Sequence, residues 1–244
     1  RNTDLINHMG TEKIARLAKK AGVERFVFGS TASIYFTYST PLKPPLYKET
    51  ERVNPISPYS LSKYAGEEAL LELLDKNFKP IIFRKGTIFG FSPKMRYDLV
   101  VNSFTKDAFV KKRLTVHAGG NVYRPMLDIQ DAAAAYQAAL ELPLRAVGGK
   151  IFNVAHGNWK LSDLALAVAE IIQKKKGIMV ELDVQPVGVA RNYLMDTKLF
   201  SRVFCLRPER SFSTAVMEIW NQLEGGHNHA DTRYYTDLWH KKFI

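Results

Sequence analysis

Arg25-Phe26-Val27-Phe28-Gly29-Ser30-Thr31-Ala32-Ser33-Ile34-Tyr35 is the stretch that decides the fold class. A short apolar run followed at once by glycine and hydroxyl residues has the pattern of a buried strand opening into a polar loop. Upstream, Ile6 to Ala21 has a helical rhythm (Ile6, Met9, Ile14, Leu17, Ala18) and stops at Gly22, the residue type that closes helices by adopting positive φ. Downstream, a loop carrying Pro41, Pro44, Pro45 and Pro55 leads to Ser57-Pro58, where a capping serine and a first-turn proline start a helix expected to reach Lys76.

The alternation continues along the chain. Pro80-Ile81-Ile82-Phe83 and Lys150 to Ala155 are strand candidates. Between them lie a helix near Leu99 to Val110, a short strand pair around Leu114 to Ile129, and an alanine-rich helix from Asp131 to Leu142. A helix over Leu161 to Lys174, an extended segment over Ile178 to Val184 and two short helices ending near Leu223 follow. No internal repeat or low-complexity segment interrupts them. Strands alternating with helices of this length predict a parallel sheet with crossovers, an α/β fold.

A chain of 244 residues, 46% hydrophobic and 24% charged, buries one sizeable core or two small ones that share an interface. No segment approaches the ~18 unbroken apolar residues of a membrane span. Arg1-Asn2-Thr3-Asp4 leads straight into the amphipathic helix, without the pattern of a secretory signal. The single cysteine, Cys205, rules out an internal disulfide and a cysteine-built metal site, so the expected compartment is reducing and cytoplasmic. The net charge of +11 invites a nucleic-acid reading. The basic residues are spread out, however, with short clusters only at Lys111-Lys112-Arg113 and Lys174-Lys175-Lys176, and a diphosphate-bearing ligand profits from the same field. No nucleic-acid partner is expected.

The sharpest chemical feature is Pro58-Tyr59-Ser60-Leu61-Ser62-Lys63. Tyr and Lys four apart share one helix face, so the ammonium can sit near the phenol and lower a pKa otherwise near 10. Such a phenol can act as a base toward an alcohol. Ser30 and Thr31 come from the carboxyl end of a parallel strand, where ligands bind in open α/β sheets. Phe83-Arg84-Lys85-Gly86-Thr87-Ile88-Phe89-Gly90 arrives at the same edge.

These segments, with Arg124-Pro125-Met126-Leu127-Asp128-Ile129-Gln130-Asp131, Phe152-Asn153-Val154-Ala155, and Arg191-Asn192-Tyr193-Leu194-Met195-Asp196 followed by Lys198, resemble the extended short-chain dehydrogenase/reductases that act on nucleotide sugars. The resemblance covers roughly residues 7 to 223. It implies a Rossmann-like parallel sheet lacking its N-terminal strands, with a smaller mixed α/β substrate domain. Residues 1–95 and 129–160 then belong to the dinucleotide-binding part, 96–128 and 161–226 to the substrate domain, and 227–244 to a tail. It implies Tyr59 as catalytic base, Lys63 as its partner and a donor to the nicotinamide ribose, and Thr31 as the hydroxyl between substrate and tyrosine. Ser30, Thr87 and Ile88 would border NAD, Arg124 and Arg191 would clamp the substrate diphosphate, and Asn102 and Arg96 would stand in the substrate loop. Relatives that eliminate water carry an acidic pair directly after this threonine, and decarboxylating relatives a glutamate two positions on. Ala32 and Ser33 occupy those places, which leaves epimerisation of a nucleoside diphosphate sugar, or reduction of a keto-sugar. A homodimer through the helix bearing Tyr59 is implied as well.

Departures from the family pattern accompany the resemblance. The Gly-x-x-Gly-x-x-Gly cofactor turn is absent, as is the acidic residue that selects the adenine ribose, and Lys85 stands where an aromatic is frequent. Two readings stay open: a piece of a longer enzyme, or a sugar-nucleotide binder without NAD. His227-Asn228-His229 with Asp231 reads as a polar linker and no metal site is expected, while Tyr234-Tyr235-Thr236-Asp237-Leu238-Trp239 reads as a tail packing back onto the fold or a partner.

Overall fold

The protein is described from a computed structural model, over residues 2–35, 44–186, 191–206 and 210–236. Pro41 of the proline loop and Asp237 to Trp239 of the tail lie outside them. The chain enters as a helical rod built of α1 (Asn2–Asp4), a π-helical stretch (Leu5–Gly10) and α2 (Thr11–Lys20), so the helix starts ahead of the expected Ile6. Gly22, at φ 80°, follows its end. The apolar residues that announced this helix stay largely open: Ile6 is 71% exposed and Ile14 60%, and Ala15 supplies the buried contact. Periodicity identifies an apolar face without saying what covers it.

β1 (Arg25–Thr31) is longer than the apolar run predicts, because pairing with a neighbouring strand carries Gly29, Ser30 and Thr31 into the ladder. A 3-10 turn (Ala32–Ile34) and β2 (Leu46–Tyr47) lead to α3 (Pro58–Glu72). Ser57 and Ser60 cap α3 reciprocally with Pro58 in its first turn. It ends at Glu72, short of the expected Lys76, where the Asp75 carboxylate captures the amides of Asn77 and Phe78 and turns the chain. Gly66 lets α3 touch the π-helical stretch, since a Cβ there would lie 2.8 Å from the Asn7 carbonyl oxygen.

Next come β3 (Lys79–Lys85), β4 (Thr87–Phe89), α4 (Val100–Lys111), β5 (Arg113–Val116), β6 (Tyr123–Asp128), α5 (Ile129–Glu141), α6 (Leu144–Val147) and β7 (Ile151–Val154). β8 (Gly157–Lys160), α7 (Leu161–Lys176), β9 (Glu181–Val184), β10 (Leu194–Met195), α8 (Lys198–Phe204) and α9 (Phe212–Glu224) complete the order. β1, β3 and β7 form a parallel sheet in that order, with Arg25 opposite Lys79 and Thr31 opposite Lys85. One face carries Phe83, Phe152 and Val154 against α5 and α8, and the other carries Phe28 and Ile82 against α2 and α3. Helices on both faces of a parallel sheet make the fold α/β, as the alternation predicts.

Gly86 separates β3 from β4, and β4 belongs to a different sheet, β4-β6-β8. The strand pair expected over Leu114 to Ile129 is not formed: β5 pairs with β9, whereas β6 pairs with β4 and β8. Both strands exist, but their partners lie far away in sequence, beyond the reach of local pattern. A third apolar cluster joins α4, α7 and α9 around Trp220, Phe104 and Leu164.

Candidate active site

The N-cap of α3 holds Tyr59 in the helix's first turn, and β1 delivers Thr31 opposite it. The Thr31 hydroxyl, which bonds to Ser33, stands near enough to the phenol to favour its charged form. The Tyr59 side chain keeps 45% of its surface open, yet the protein packed around its ring raises the phenol above its usual 10. Thr31 and the Arg96 cation pull the other way. The expectation that Lys63 lowers this pKa is therefore corrected. Lys63 Nζ turns to the Gly29 carbonyl oxygen at 2.9 Å and lies 4.8 Å from the Phe28 ring centroid. Burial, and then the like charge of Lys85, depress its own pKa.

Ser30, expected at the cofactor, is not in the cleft. Alternation along β1 points it to the α3 side, where it is buried and its hydroxyl donates to Glu67 Oε1. Beneath the site, Arg84 Nη2 donates to Glu67 Oε2 at 2.7 Å and Arg84 Nη1 donates to the Tyr35 hydroxyl at 2.7 Å. Tyr35 donates in turn to Asn153 Oδ1 at 3.0 Å, and burial pushes its phenol up to about 12. Asn153 closes the network onto the Tyr47 and Asp196 carbonyls. Three strands and α3 are thereby locked behind Thr31 and Tyr59. Sequence reasoning missed Glu67, although Glu67 lies eight residues after Tyr59, on a face of α3 turned to the sheet.

Thr87 and Ile88 sit half-buried on β4. On β6, Arg124 Nη1 donates to its neighbour's carbonyl at Tyr123, 2.8 Å away, and to the Arg191 carbonyl, so positions far apart in sequence meet. Burial and the like charge of Arg191 both lower the Arg124 pKa. Asn192 Oδ1 accepts the Tyr123 amide at 2.9 Å and pins the Arg191 segment to β6. Tyr193 is buried, and its phenol feels Arg124, Arg191, Ser33 and Tyr59 electrostatically, which puts the arginines and the Tyr59 phenol around one cleft. Tyr193 lay inside a quoted motif but was assigned no role.

The remaining candidates divide. Arg96 lies close enough to Tyr59 to stabilise its phenolate, with its guanidinium held by Asp98 at 2.7 and 2.9 Å. Asn102 is buried and internally committed: Oδ1 accepts the Gly90 amide at 3.0 Å and Nδ2 donates to the Arg96 carbonyl at 3.1 Å. Both bonds hold the loop that carries Arg96. Lys85 is half-buried with its ammonium 5.3 Å from the Tyr136 ring centroid. His227 bonds to Tyr97, and among the described residues no three His, Cys, Asp or Glu side chains gather as a metal site requires. Arg113 and Lys176 of the two basic clusters are paired to Asp183 at 2.9 Å and Glu224 at 2.6 Å.

Comparison with known proteins bears on this arrangement directly. The family model for the NAD dependent epimerase/dehydratase family matches residues 2–155. The chain belongs to that family. Within the epimerase/dehydratase family, a putative UDP-glucose 4-epimerase of Methanocaldococcus jannaschii is 30% identical over 138 residues, covering 55% of this chain and 44% of the relative. A UDP-glucuronate 4-epimerase of Thermodesulfobacterium geofontis is 28% identical over 162 residues, covering 64% of this chain and 46% of the relative. The chain thus spans less than half the length of these curated relatives. Its fold is that of the UDP-glucuronic acid 4-epimerase of Bacillus cereus solved with NAD, at TM-score 0.74 and 21% identity, over 91% of this chain and 68% of that one. No helix among the described residues is long and apolar enough to cross a membrane.

Proposed function

We propose that this epimerase/dehydratase-family protein interconverts epimers of a nucleoside diphosphate sugar by transient oxidation with NAD, with Tyr59 as the base. The observation that carries the reading is the meeting of three groups: Thr31 at the carboxyl end of a parallel strand, the Tyr59 phenol in the first turn of α3, on which the Thr31 hydroxyl acts, and Lys63 one helical turn further on. NAD, when bound, supplies the acceptor and donor of the sugar's hydride. The residues present fit its nicotinamide end: a lysine ammonium has three N–H donors, and Lys63 places one on the Gly29 carbonyl, leaving donors for ribose hydroxyls. Thr87 and Ile88, half-buried on β4, would border the ring. Tyr59 exchanges the proton of the reacting sugar hydroxyl, steered by Thr31. Arg124 and Arg191 hold the diphosphate, for which planar forks of donors suit. Ala32 and Ser33 offer no acid for water elimination.

The division of the chain into 1–95 with 129–160, and 96–128 with 161–226, is part of this proposal. The cluster around α4, α7 and α9 supports it, whereas α8 packs on the parallel sheet and β4 pairs with β6, so both contacts cross the division. A homodimer through α3 belongs to the same reading, supported by Leu61 and Leu71 standing exposed on that helix.

The test is Tyr59→Phe in the full-length protein, with UDP-sugar interconversion followed by NMR and nucleotide binding followed by calorimetry. Turnover is lost and binding retained. Persisting turnover removes Tyr59 from the chemistry.

A second reading, a sugar-nucleotide binder without redox chemistry, is favoured by one observation. Gly119-Gly120 lies in a turn after β5, Gly148-Gly149 between α6 and β7, and Gly225-Gly226 after α9, so none opens a helix after a strand as a dinucleotide loop must. Binding of UDP-sugar but not of NAD to the same protein separates the two readings.

A further inference from the structure

The stretch after α9 does not trail away from the body. Gly225-Gly226 turn the chain back, and His227 to Thr236 cross the loop that runs from the end of β4 to the start of α4, the loop bearing Arg96. Three kinds of contact tie the two together. The Tyr97 amide donates to the Tyr234 carbonyl at 3.1 Å, and the Thr236 amide donates to Asp98 Oδ2 at 3.2 Å. The Tyr97 hydroxyl and His227 Nδ1 are 3.1 Å apart in a hydrogen bond. The rings then stack into one body: His227 on Tyr234 at 5.0 Å, Phe91 edge-on to His227 at 5.8 Å, and Tyr97 edge-on to Tyr234 at 5.9 Å.

These contacts act on the two residues that flank Arg96 on its C-terminal side. Tyr97 is buried, with Met95 at 0% exposure on the other side of Arg96, so the backbone around Arg96 is anchored at both neighbours. Asp98 receives both the Arg96 guanidinium and the Thr236 amide, and the carboxylate that aims Arg96 is therefore itself held by the tail. Asn102 holds the Arg96 carbonyl from α4. Loops are otherwise the least restrained parts of a fold, and a cation near a reacting group helps only when its position is fixed.

We propose that His227–Thr236 is a clasp that orders the Phe91–Leu99 loop and thereby positions Arg96 beside Tyr59, so that turnover depends on a segment that itself touches no substrate. Tyr234 and His227 are positioning residues in this scheme. The link to substrate rests on the function proposed above, whereas the clasp itself does not.

The experiment uses Tyr234→Ala and Tyr234→Phe in the full-length protein. Amide exchange of the Tyr97 N–H reports the clasp directly, and KM and kcat for the UDP-sugar report its consequence. Tyr234→Ala removes the ring that stacks on His227 and Tyr97, and exchange at Tyr97 rises roughly tenfold or more while amides of β1 and β3 keep their protection. At neutral pH kcat falls roughly five- to tenfold with KM held within about twofold, and the pH profile of kcat moves to higher pH, because a wandering Arg96 no longer favours the Tyr59 phenolate. Tyr234→Phe keeps the ring and the carbonyl and restores both readouts. Unchanged exchange at Tyr97 in Tyr234→Ala overturns the clasp. A loosened loop with wild-type kcat and pH profile overturns its role in positioning Arg96. If Tyr59→Phe retains turnover, the proposed function fails, and the exchange readout still decides the clasp.

Discussion

Glu67→Ala tests whether the buried network behind the cleft holds the site together. Glu67 and Arg84 are 0% and 4% exposed, and three hydrogen bonds of 2.7, 3.1 and 3.2 Å run from the guanidinium to the carboxylate. Ser30 adds a fourth hydrogen bond to the same carboxylate. Removing the carboxylate leaves a guanidinium in the interior with Tyr35 and the Glu49 carbonyl as its partners among the described residues, and takes the acceptor from the Ser30 hydroxyl. Breaking one side of a buried pair costs about 3–5 kcal/mol, because the remaining charge has lost water and gained nothing. That is a large part of a typical stability of roughly 5–15 kcal/mol. Urea unfolding reads it as a midpoint lowered by roughly 1–2 M at unchanged slope. Glu67→Leu combined with Arg84→Met removes both charges together and recovers most of the loss, because a pair replaced by apolar groups of similar volume pays no desolvation. The expected non-additivity is the decisive quantity. A Glu67→Ala loss below about 1 kcal/mol, or additive single and double variants, would mean that water or another anion reaches Arg84 and that the network is not what anchors β1 to α3.

Two further outcomes follow from buried groups and close backbone contacts. Tyr35 and Tyr97, 0% and 1% exposed, are both pushed up to about 12, chiefly by burial. Between pH 10 and 12 the unfolded chain releases these protons and the folded one retains them, so stability is full below pH 10 and falls with a slope of up to about 3 kcal/mol per pH unit. Urea midpoints across that range check the sign, and a flat profile contradicts it. Gly86→Ala places a Cβ 2.7 Å from the Pro125 carbonyl oxygen and 2.9 Å from its carbon, backbone atoms that cannot rotate away. It is expected to cost about 1–3 kcal/mol and lower Tm by several degrees, with a wild-type Tm as the contrary result.

Much of the fold was legible because its signals are local. The Ser57-Pro58 start of α3, the apolar runs of β1, β3 and β7 and the alternation of strands with helices each depend on neighbours a few residues away, and each produced the element expected. Errors arose where partners are distant. β5 and β6 were expected to pair with each other because they are adjacent in sequence, yet burial against α7 and pairing with β9 and β8 decide otherwise. The extension of β1 through Thr31 depends on β3 lying alongside in register. The exposed apolar face of the π-helical stretch and α2 repeats the lesson, since spacing reports a stripe and never its cover.

At the candidate site the same boundary applies. The sequence by itself determined which chemistry-bearing residues exist, that Tyr59 and Lys63 share a helix, and that Thr31 stands at a strand's carboxyl end, because backbone periodicity sets these placements before any tertiary contact forms. Only the tertiary structure decided where each polar atom spends its hydrogen bonds: Lys63 on the Gly29 carbonyl, Ser30 on Glu67, Asn102 inside its own loop, and Arg96 on an Asp98 held from the C-terminal segment. A side chain with several donors or acceptors has many possible partners, and which one it takes depends on what folding from distant parts of the chain brings within about 3 Å of it.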